Sequence, residues 1–176
     1  MGYMFLTGKS GAGKTTWLLG EVGRARAAGH TVVGIITPPI FGKKDKLGIE
    51  AWLLPTDERF NLANVQPRVA QPTAPTRPDA DLAWRFDDTA VQRINDHLQT
   101  LAFPAAQSPE TLLVIDEIGP LELLKGAGFT AALDLLDKQV YEQAIVVIRP
   151  SLIELAQQRW PGSEVRTAST AGRLVL

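Results

Sequence analysis

Residues 5–17 have the sequence FLTGKSGAGKTTW, which contains a glycine-rich loop between a strand and a helix. Gly8–Thr15 matches the phosphate-binding loop pattern G-x-x-x-x-G-K-[ST]. Glycines let the backbone curl so that amide groups point at phosphate oxygens, and a following helix adds the positive end of its dipole. An apolar strand at Tyr3–Thr7 and a helix from Thr15 to about Ala28 supply the required context. The predicted nucleotide-binding residues are Gly8, Lys9, Ser10, Gly11, Ala12, Gly13, Lys14, Thr15 and Thr16.

Two side chains of this loop have distinct predicted roles. Lys14 supplies a full positive charge to the β- and γ-phosphates, so we expect it to contribute to catalysis. The Thr15 hydroxyl is predicted to coordinate Mg²⁺, which is the expected cofactor.

The composition is that of a globular chain without a strong charge bias. Of its 176 residues, 45% are hydrophobic and 21% are charged, and the formal net charge is −1. This length suits a single domain that buries about 70% of its unfolded surface. The charge argues against a nucleic-acid partner, and no apolar run approaches the roughly 20 residues that span a membrane. The chain has no cysteine, which excludes disulfides and thiolate catalysis and fits a cytoplasmic location.

Strands and helices alternate along the chain. Near-continuous apolar runs predict buried strands of a parallel sheet at Thr31–Thr37, Thr111–Ile115 and Ala144–Ile148. Further predicted elements are a helix capped by Asp87 or Asp88, a helix at Phe129–Val140, a helix from a capping box at Ser151 to about Trp160, and short strands at Glu164–Thr167 and Arg173–Leu176. This alternation predicts an α/β fold with a mostly parallel sheet.

The region after the second strand departs from this rhythm. Pro38 and Pro39 end that strand, and Phe41–Gly48 is interpreted as an exposed basic turn. Ile49–Leu54 is predicted to form an antiparallel hairpin with residues near 36–41. Residues 66–81 contain four prolines among Ala, Thr and Gln, which predicts a flexible insertion within one domain spanning 1–176.

A second motif, LLVIDEIGPLEL at residues 112–123, bears on the chemistry. An acid at the end of a buried strand is the usual partner of a phosphate loop in holding Mg²⁺, so Asp116 is the predicted second metal residue. Glu117 can orient and deprotonate an attacking water. Kinases of small substrates often lack this adjacent glutamate, because their nucleophile is a substrate hydroxyl. The pair therefore favours hydrolysis.

Three further side chains are candidates for the site or its surroundings. Arg149 ends the strand predicted to lie beside the two motif strands, and it is a candidate catalytic residue that senses the γ-phosphate. Glu122 either belongs to the site or caps the next segment, and the structural interpretation is favoured. Trp84 is interpreted as a packing residue.

At these residues the chain resembles a family of small nucleoside triphosphatases that includes the cancer-related nucleoside triphosphatase and its thermophile relatives. The segments that carry the resemblance are FLTGKSGAGKTT, GIITPPI with LGIEAWLL, and LLVIDEIGPLELL with FTAALDLL. The resemblance implies a P-loop NTPase three-layer sandwich with a mostly parallel sheet and an antiparallel hairpin insertion. It also implies slow, Mg²⁺-dependent hydrolysis of ATP, GTP and other nucleoside triphosphates.

Two other functions stay open from the residues alone. The loop also resembles those of kinases that act on small metabolites or nucleotides. A nucleotide-dependent switch with an unidentified protein partner is the third possibility. No base-reading motif is recognisable, which favours recognition chiefly through phosphates, and no membrane partner is expected.

Overall fold

The computed structural model describes residues 2–43, 45–66, 84–102, 110–139, 141–168 and 174–175. Its strands are β1 (Gly2–Thr7), β2 (Thr31–Ile36), β3 (Pro39–Phe41), β4 (Lys46–Leu54), β5 (Glu58–Val65), β6 (Trp84–Phe86), β7 (Thr111–Ile118), β8 (Gln143–Ile148), β9 (Glu164–Ala168) and β10 (Leu174–Val175). Its α-helices are α1 (Lys14–Ala27), α2 (Asp88–Thr100), α3 (Pro120–Lys125), α4 (Thr130–Asp137) and α5 (Ile153–Arg159).

These strands form one mixed sheet. The order is β10-β9-β1-β8-β7-β2-β4-β5-β6, and β3 pairs with β4 beside that path. The central strands β9, β1, β8, β7 and β2 are parallel. β4, β5 and β6 extend the sheet antiparallel beyond β2, and β10 runs antiparallel to β9. The predicted α/β class, with a parallel centre and an antiparallel part, is confirmed.

Two apolar clusters lie on opposite faces of the sheet. Successive strand residues point to opposite faces, so Phe5 and Leu6 of β1 belong to different clusters. Phe5 lies with residues of α2, α4 and α5, whereas Leu6 lies with Leu18 and Val22 of α1. The sheet is therefore covered by helices on both faces, which gives the predicted three layers.

A close approach between β2 and β7 fixes the strand ends that matter for the site. Gly34 is paired with Val114 and has φ +118°, a conformation that side-chain-bearing residues rarely adopt. A Cβ atom at Gly34 would lie 2.0 Å from the Val114 carbonyl oxygen. This register brings Thr37, just beyond β2, beside Asp116 near the end of β7.

The predicted antiparallel pairing of Ile49–Leu54 with residues near 36–41 is confirmed, and its extent is corrected. β3 and β4 pair antiparallel with Pro39 opposite Ile49. However, β4 begins at Lys46, so the end of the predicted exposed turn is strand. Pro39 also begins a strand, because β3 is a short side strand in which a missing amide donor is tolerated.

Other boundaries differ from the sequence predictions. β7 extends to Ile118, and the helix predicted at Phe129–Val140 covers Thr130–Asp137. The capping box at Ser151 is wrong, because Pro150 starts a 3₁₀ turn over Pro150–Leu152 and Ser151 lies inside it. Elements that were not predicted are β5, β6 and α3.

The predicted insertion at 66–81 lies outside the described residues, apart from Gln66. Of the predicted last strand, Leu174 and Val175 are described as a strand. No described helix has the length and apolar character needed to cross a membrane.

Candidate active site

The phosphate loop connects β1 to α1 and has its glycines where the backbone requires them. Gly13 has φ +84° and immediately precedes α1, whose N-terminus is capped by no side chain. Gly8 is buried with φ +151°, and a Cβ atom there would lie 3.0 Å from the carbonyl oxygen of Ala168. The uncapped amides at the start of α1 are thus available to an anion.

Lys14 folds back over this loop. Its Nζ donates hydrogen bonds to the carbonyl oxygens of Gly8 at 2.9 Å and Lys9 at 3.1 Å. These two hydrogen bonds hold the ammonium group at the loop.

Asp116 lies beside Thr15 from the loop, as the motifs predict. The residue is only 2% exposed, and the Thr15 side chain is near enough to lower its pKa. Burial raises the pKa of Asp116 to about 6, although hydrogen bonds from Thr37 and Thr15 act in the opposite direction. A buried carboxylate next to a hydroxyl is a suitable partial ligand set for a hard cation.

The strand order explains why these two motifs meet. β8 lies between β1 and β7, and all three are parallel, so their carboxyl ends share one edge of the sheet. Ligands of open α/β sheets bind at this edge. Arg149, which follows β8, lies at the same edge.

Glu117 and Arg149 form an ion pair at this edge. Arg149 Nε donates to Glu117 Oε1 at 2.6 Å. The side chains are 27% exposed for Glu117 and 59% exposed for Arg149. The peptide bond between Asp116 and Glu117 is cis. The structure thus brings together all of the predicted catalytic and metal-binding residues, which are Lys14, Thr15, Asp116, Glu117 and Arg149.

Comparison with known proteins shows the family of this chain. The model of the NTPase family matches residues 3–160. The chain belongs to the NTPase family. It is therefore a nucleoside-triphosphate phosphatase.

Individual relatives cover nearly the whole chain. The nucleoside-triphosphatase THEP1 of Thermococcus kodakarensis is 27% identical over 97% of this chain and 87% of its own length. The solution structure of a human cancer-related nucleoside triphosphatase has a TM-score of 0.67 at 22% identity, covering 94% of this chain and 87% of that one. The crystal structure of THEP1 from the hyperthermophile Aquifex aeolicus has a TM-score of 0.63 at 17% identity, covering 97% and 92%. These structures share the fold of this NTPase.

Glu122 has a structural role in this NTPase, as the sequence favoured. The residue is 6% exposed, and its two oxygens accept hydrogen bonds from the amides of Gly119 at 2.8 Å and Phe129 at 3.0 Å. A carboxylate that accepts buried amides at both oxygens fixes the start of α3 to the start of α4. Glu122 therefore supports the segment after β7.

Thr37 was not predicted as a site residue. Its hydroxyl donates to the Asp116 carbonyl oxygen at 2.6 Å, and its amide donates to Asp116 Oδ2 at 3.3 Å. Thr37 thus orients both the backbone and the carboxylate of Asp116. The order of β2 and β7 in the sheet, which sequence alone does not give, creates this contact.

Lys46 corrects the prediction that residues 42–46 form a solvated basic turn. Lys46 is half-buried in β4, and its Nζ lies 4.8 Å from the centroid of the Trp84 ring. Burial lowers the pKa of Lys46, and the charges of Glu117, Asp116 and Lys14 also act on it. Lys46 therefore belongs to the surroundings of the site.

Asp116→Asn is expected to stabilise the protein when Mg²⁺ and nucleotide are removed. The raised pKa means that the folded state binds the Asp116 proton more tightly than the unfolded state. The contribution of Asp116 to the free energy of unfolding is therefore fully present below pH 3.8. It decreases as the pH rises to about 6 and stays reduced above that pH. The rise from 3.8 to about 6 corresponds to a loss of about 3 kcal/mol at pH 7.5, which asparagine avoids because it does not ionise.

Denaturant unfolding in EDTA at pH 4 and pH 7.5 measures this effect. The variant should exceed the wild type at pH 7.5 and approach it at pH 4. Asp96→Asn, at an exposed position on α2, is the control and should change little at either pH. Equal stability of Asp116→Asn and wild type at pH 7.5 would contradict the prediction.

Proposed function

We propose that this NTPase hydrolyses nucleoside 5′-triphosphates, including ATP and GTP, to the diphosphate and phosphate, slowly, with Mg²⁺ and with broad tolerance of the base. The observation that carries the proposal is the position of Glu117. It directly follows the buried Asp116 on β7 and lies at the sheet edge where the phosphate loop begins. A carboxylate at that position serves a water nucleophile.

The residues present fit Mg²⁺ as the cofactor. Thr15 and Asp116 offer one hydroxyl and one carboxylate close to each other. Mg²⁺ is usually held by one or two protein oxygens together with phosphate oxygens and waters. When bound with the nucleotide, it would neutralise phosphate charge.

Each residue of the site has a proposed task in hydrolysis. The amides of Gly8–Thr16 hold the phosphates, and Lys14 offsets charge on the β- and γ-phosphates. Glu117 orients a water and accepts its proton as the water oxygen bonds to the γ-phosphorus. The bond from that phosphorus to the β–γ bridging oxygen breaks at the same time, and the diphosphate leaves. Arg149 is placed to offset charge that develops on the transferred group.

The Glu117–Arg149 ion pair supports slow turnover. Oε1 of Glu117 already accepts a hydrogen bond from Arg149 at 2.6 Å. A carboxylate has a second oxygen that can accept a water while Oε1 is paired. Arg149, however, must leave Glu117 or use its other N–H groups to meet the transferred group, and breaking the ion pair would slow turnover.

Phosphate release from four nucleotides, with and without Mg²⁺, tests the proposed function. Because recognition rests on the phosphates, the values of kcat/KM for ATP and GTP should agree within about tenfold, which is 1.4 kcal/mol. Release should depend on Mg²⁺ and need no acceptor. A thousandfold preference for one base would show a base-reading pocket, and release that requires an added acceptor would favour a kinase.

A further inference from the structure

The hairpin formed by β3 and β4 starts at the active site. Thr37, which holds Asp116 through two hydrogen bonds, is only two residues before β3. In the hairpin, Phe41 at the end of β3 is opposite Lys46 at the start of β4. β4 pairs with β2 only through Trp52–Leu54, so its first residues, including Lys46, project beyond the carboxyl end of β2, the edge of the sheet at which Asp116 lies.

An aromatic ring from a separate strand holds the Lys46 side chain. The ammonium group lies 4.8 Å from the ring centroid of Trp84, within the range of a cation–π contact. Trp84 is itself fixed in β6 opposite Val65 of β5. Such a contact restricts a long, flexible side chain without neutralising its charge.

The charged groups that act on Lys46 agree with this placement beside the site. Burial is the largest influence on its pKa and lowers it, whereas the negative charges of Glu117 and Asp116 raise it and the positive charge of Lys14 lowers it further. These three residues are the ones that converge on the phosphate site. Lys46 thus enters the electrostatic field of that site from the hairpin.

Lys46 has no carboxylate partner of its own among the described residues. The ion pairs there do not include it, and Glu117 is already paired with Arg149. A half-buried ammonium group without an anion loses hydration and gains little in return. A bound anion would supply the missing partner.

The charge balance of the site agrees with such an anion. Three cations, Lys14, Lys46 and Arg149, face two carboxylates, Asp116 and Glu117, within the same compartment. The difference is 3 − 2 = +1 before any divalent cation is bound. A triphosphate carries several negative charges and is the ligand class that this excess favours.

We propose that Lys46 is a second lysine contact to the terminal phosphate of the bound triphosphate, with Trp84 as its positioning residue. This inference rests on the proposed function, because it needs the triphosphate in the loop. Lys14 reaches the phosphates from the loop, and Lys46 reaches the terminal phosphate from the hairpin. The terminal phosphate is the part of the substrate that a diphosphate lacks.

Calorimetric affinities of the variants for Mg-ATP and Mg-ADP, measured beside kcat, test this contact. Lys46→Gln should lower kcat/KM for ATP, and its affinity, at least tenfold, while ADP affinity stays within about threefold of the wild type. Lys46→Arg should restore most of the loss. Trp84→Leu should give an intermediate loss in the same direction. Lys43→Gln, at an exposed lysine of the same hairpin, is the matched control and should behave as the wild type.

The outcomes separate this inference from the proposed function. Lys46→Gln indistinguishable from Lys43→Gln, in an enzyme that hydrolyses ATP, overturns only the role of Lys46. Equal losses for ATP and ADP overturn the assignment to the terminal phosphate. A wild type that binds ATP without releasing phosphate overturns the proposed hydrolysis, while the ATP–ADP difference still decides on Lys46. A wild type that binds neither nucleotide overturns both. Lys46→Met, which keeps the aliphatic contact with Trp84, replaces Lys46→Gln if thermal unfolding shows that the latter does not fold.

Discussion

Glu117→Gln is expected to lower the rate of phosphate release by about 10²–10⁴, which is the usual contribution of a positioned general base. Glutamine keeps the length of the side chain and an oxygen that can accept the 2.6 Å hydrogen bond from Arg149 Nε. The substitution therefore removes the ability to take a proton while leaving the geometry in place. ATP affinity should hold or increase, because Lys14 and the loop amides remain and one negative charge near the γ-phosphate is gone.

Steady-state phosphate release and calorimetric ATP affinity, both with Mg²⁺, measure the two effects separately. Glu164→Gln is the matched control, because Glu164 also accepts a 2.6 Å hydrogen bond from an arginine Nε, that of Arg166. Removal of the negative charge of Glu164 from its ion pair with Arg166 should leave turnover near the wild-type rate. If Glu117→Gln also hydrolyses at the wild-type rate, Glu117 does not activate water. The kinase and switch interpretations would then gain support.

The parallel centre of the fold could be predicted because its residues carry strong local signals. Buried strands such as β2 and β7 are continuous apolar runs, and the loop between β1 and α1 has a fixed glycine pattern. α2 could also be predicted, because Asp87 is a typical N-cap residue. In the structure it accepts hydrogen bonds from the amides of Thr89 and Ala90. Each of these signals lies within a few residues.

β5 was missed because its sequence, ERFNLANV, lacks a clean alternation of apolar and polar residues. Leu62 and Ala63 are consecutive and both buried, which breaks the period of two expected of a strand. The irregular register of β4 between Ile49 and Glu50 accompanies this break. α3 was missed because it has only six residues, too few to show helical periodicity.

The residues of the candidate site also fall into two groups, those that local sequence signals predict and those that they do not. Asp116 and Glu117 could be predicted from the sequence, because a motif places them together at the end of one strand. Thr37 was not, because its contact with Asp116 joins residues 79 positions apart and depends on β2 lying next to β7. Lys46 could not be predicted either, because the groups that act on it come from three separate parts of the chain, namely the phosphate loop, β6 and β7. Local composition made it look like one more exposed charge.

The second large effect is expected for Lys14→Ala, which should weaken Mg-ATP binding by about 10²–10³. Loss of one member of a desolvated charge pair costs about 2–5 kcal/mol, mainly because the partner charge remains in place without its counter-charge. In this protein the ammonium group is held at the loop by the carbonyl oxygens of Gly8 and Lys9. It therefore needs little rearrangement to meet a phosphate, and alanine removes both the charge and this arrangement.

Calorimetry with Mg-ATP and Mg-ADP, together with thermal unfolding of the free protein, measures the effect of Lys14→Ala and its specificity. The melting temperature should change little, because the two hydrogen bonds that are lost come from a partly exposed side chain. Lys9→Ala is the matched control: its side chain is exposed in the same loop, and its carbonyl oxygen remains available to Lys14. Lys14→Ala should lower the affinity for ATP more than the affinity for ADP, because the lysine contacts both the β- and γ-phosphates. Unchanged ATP affinity in a folded Lys14→Ala protein would mean that Gly8–Thr15 is not the phosphate site, and the proposed roles of Asp116 and Glu117 would then fail with it.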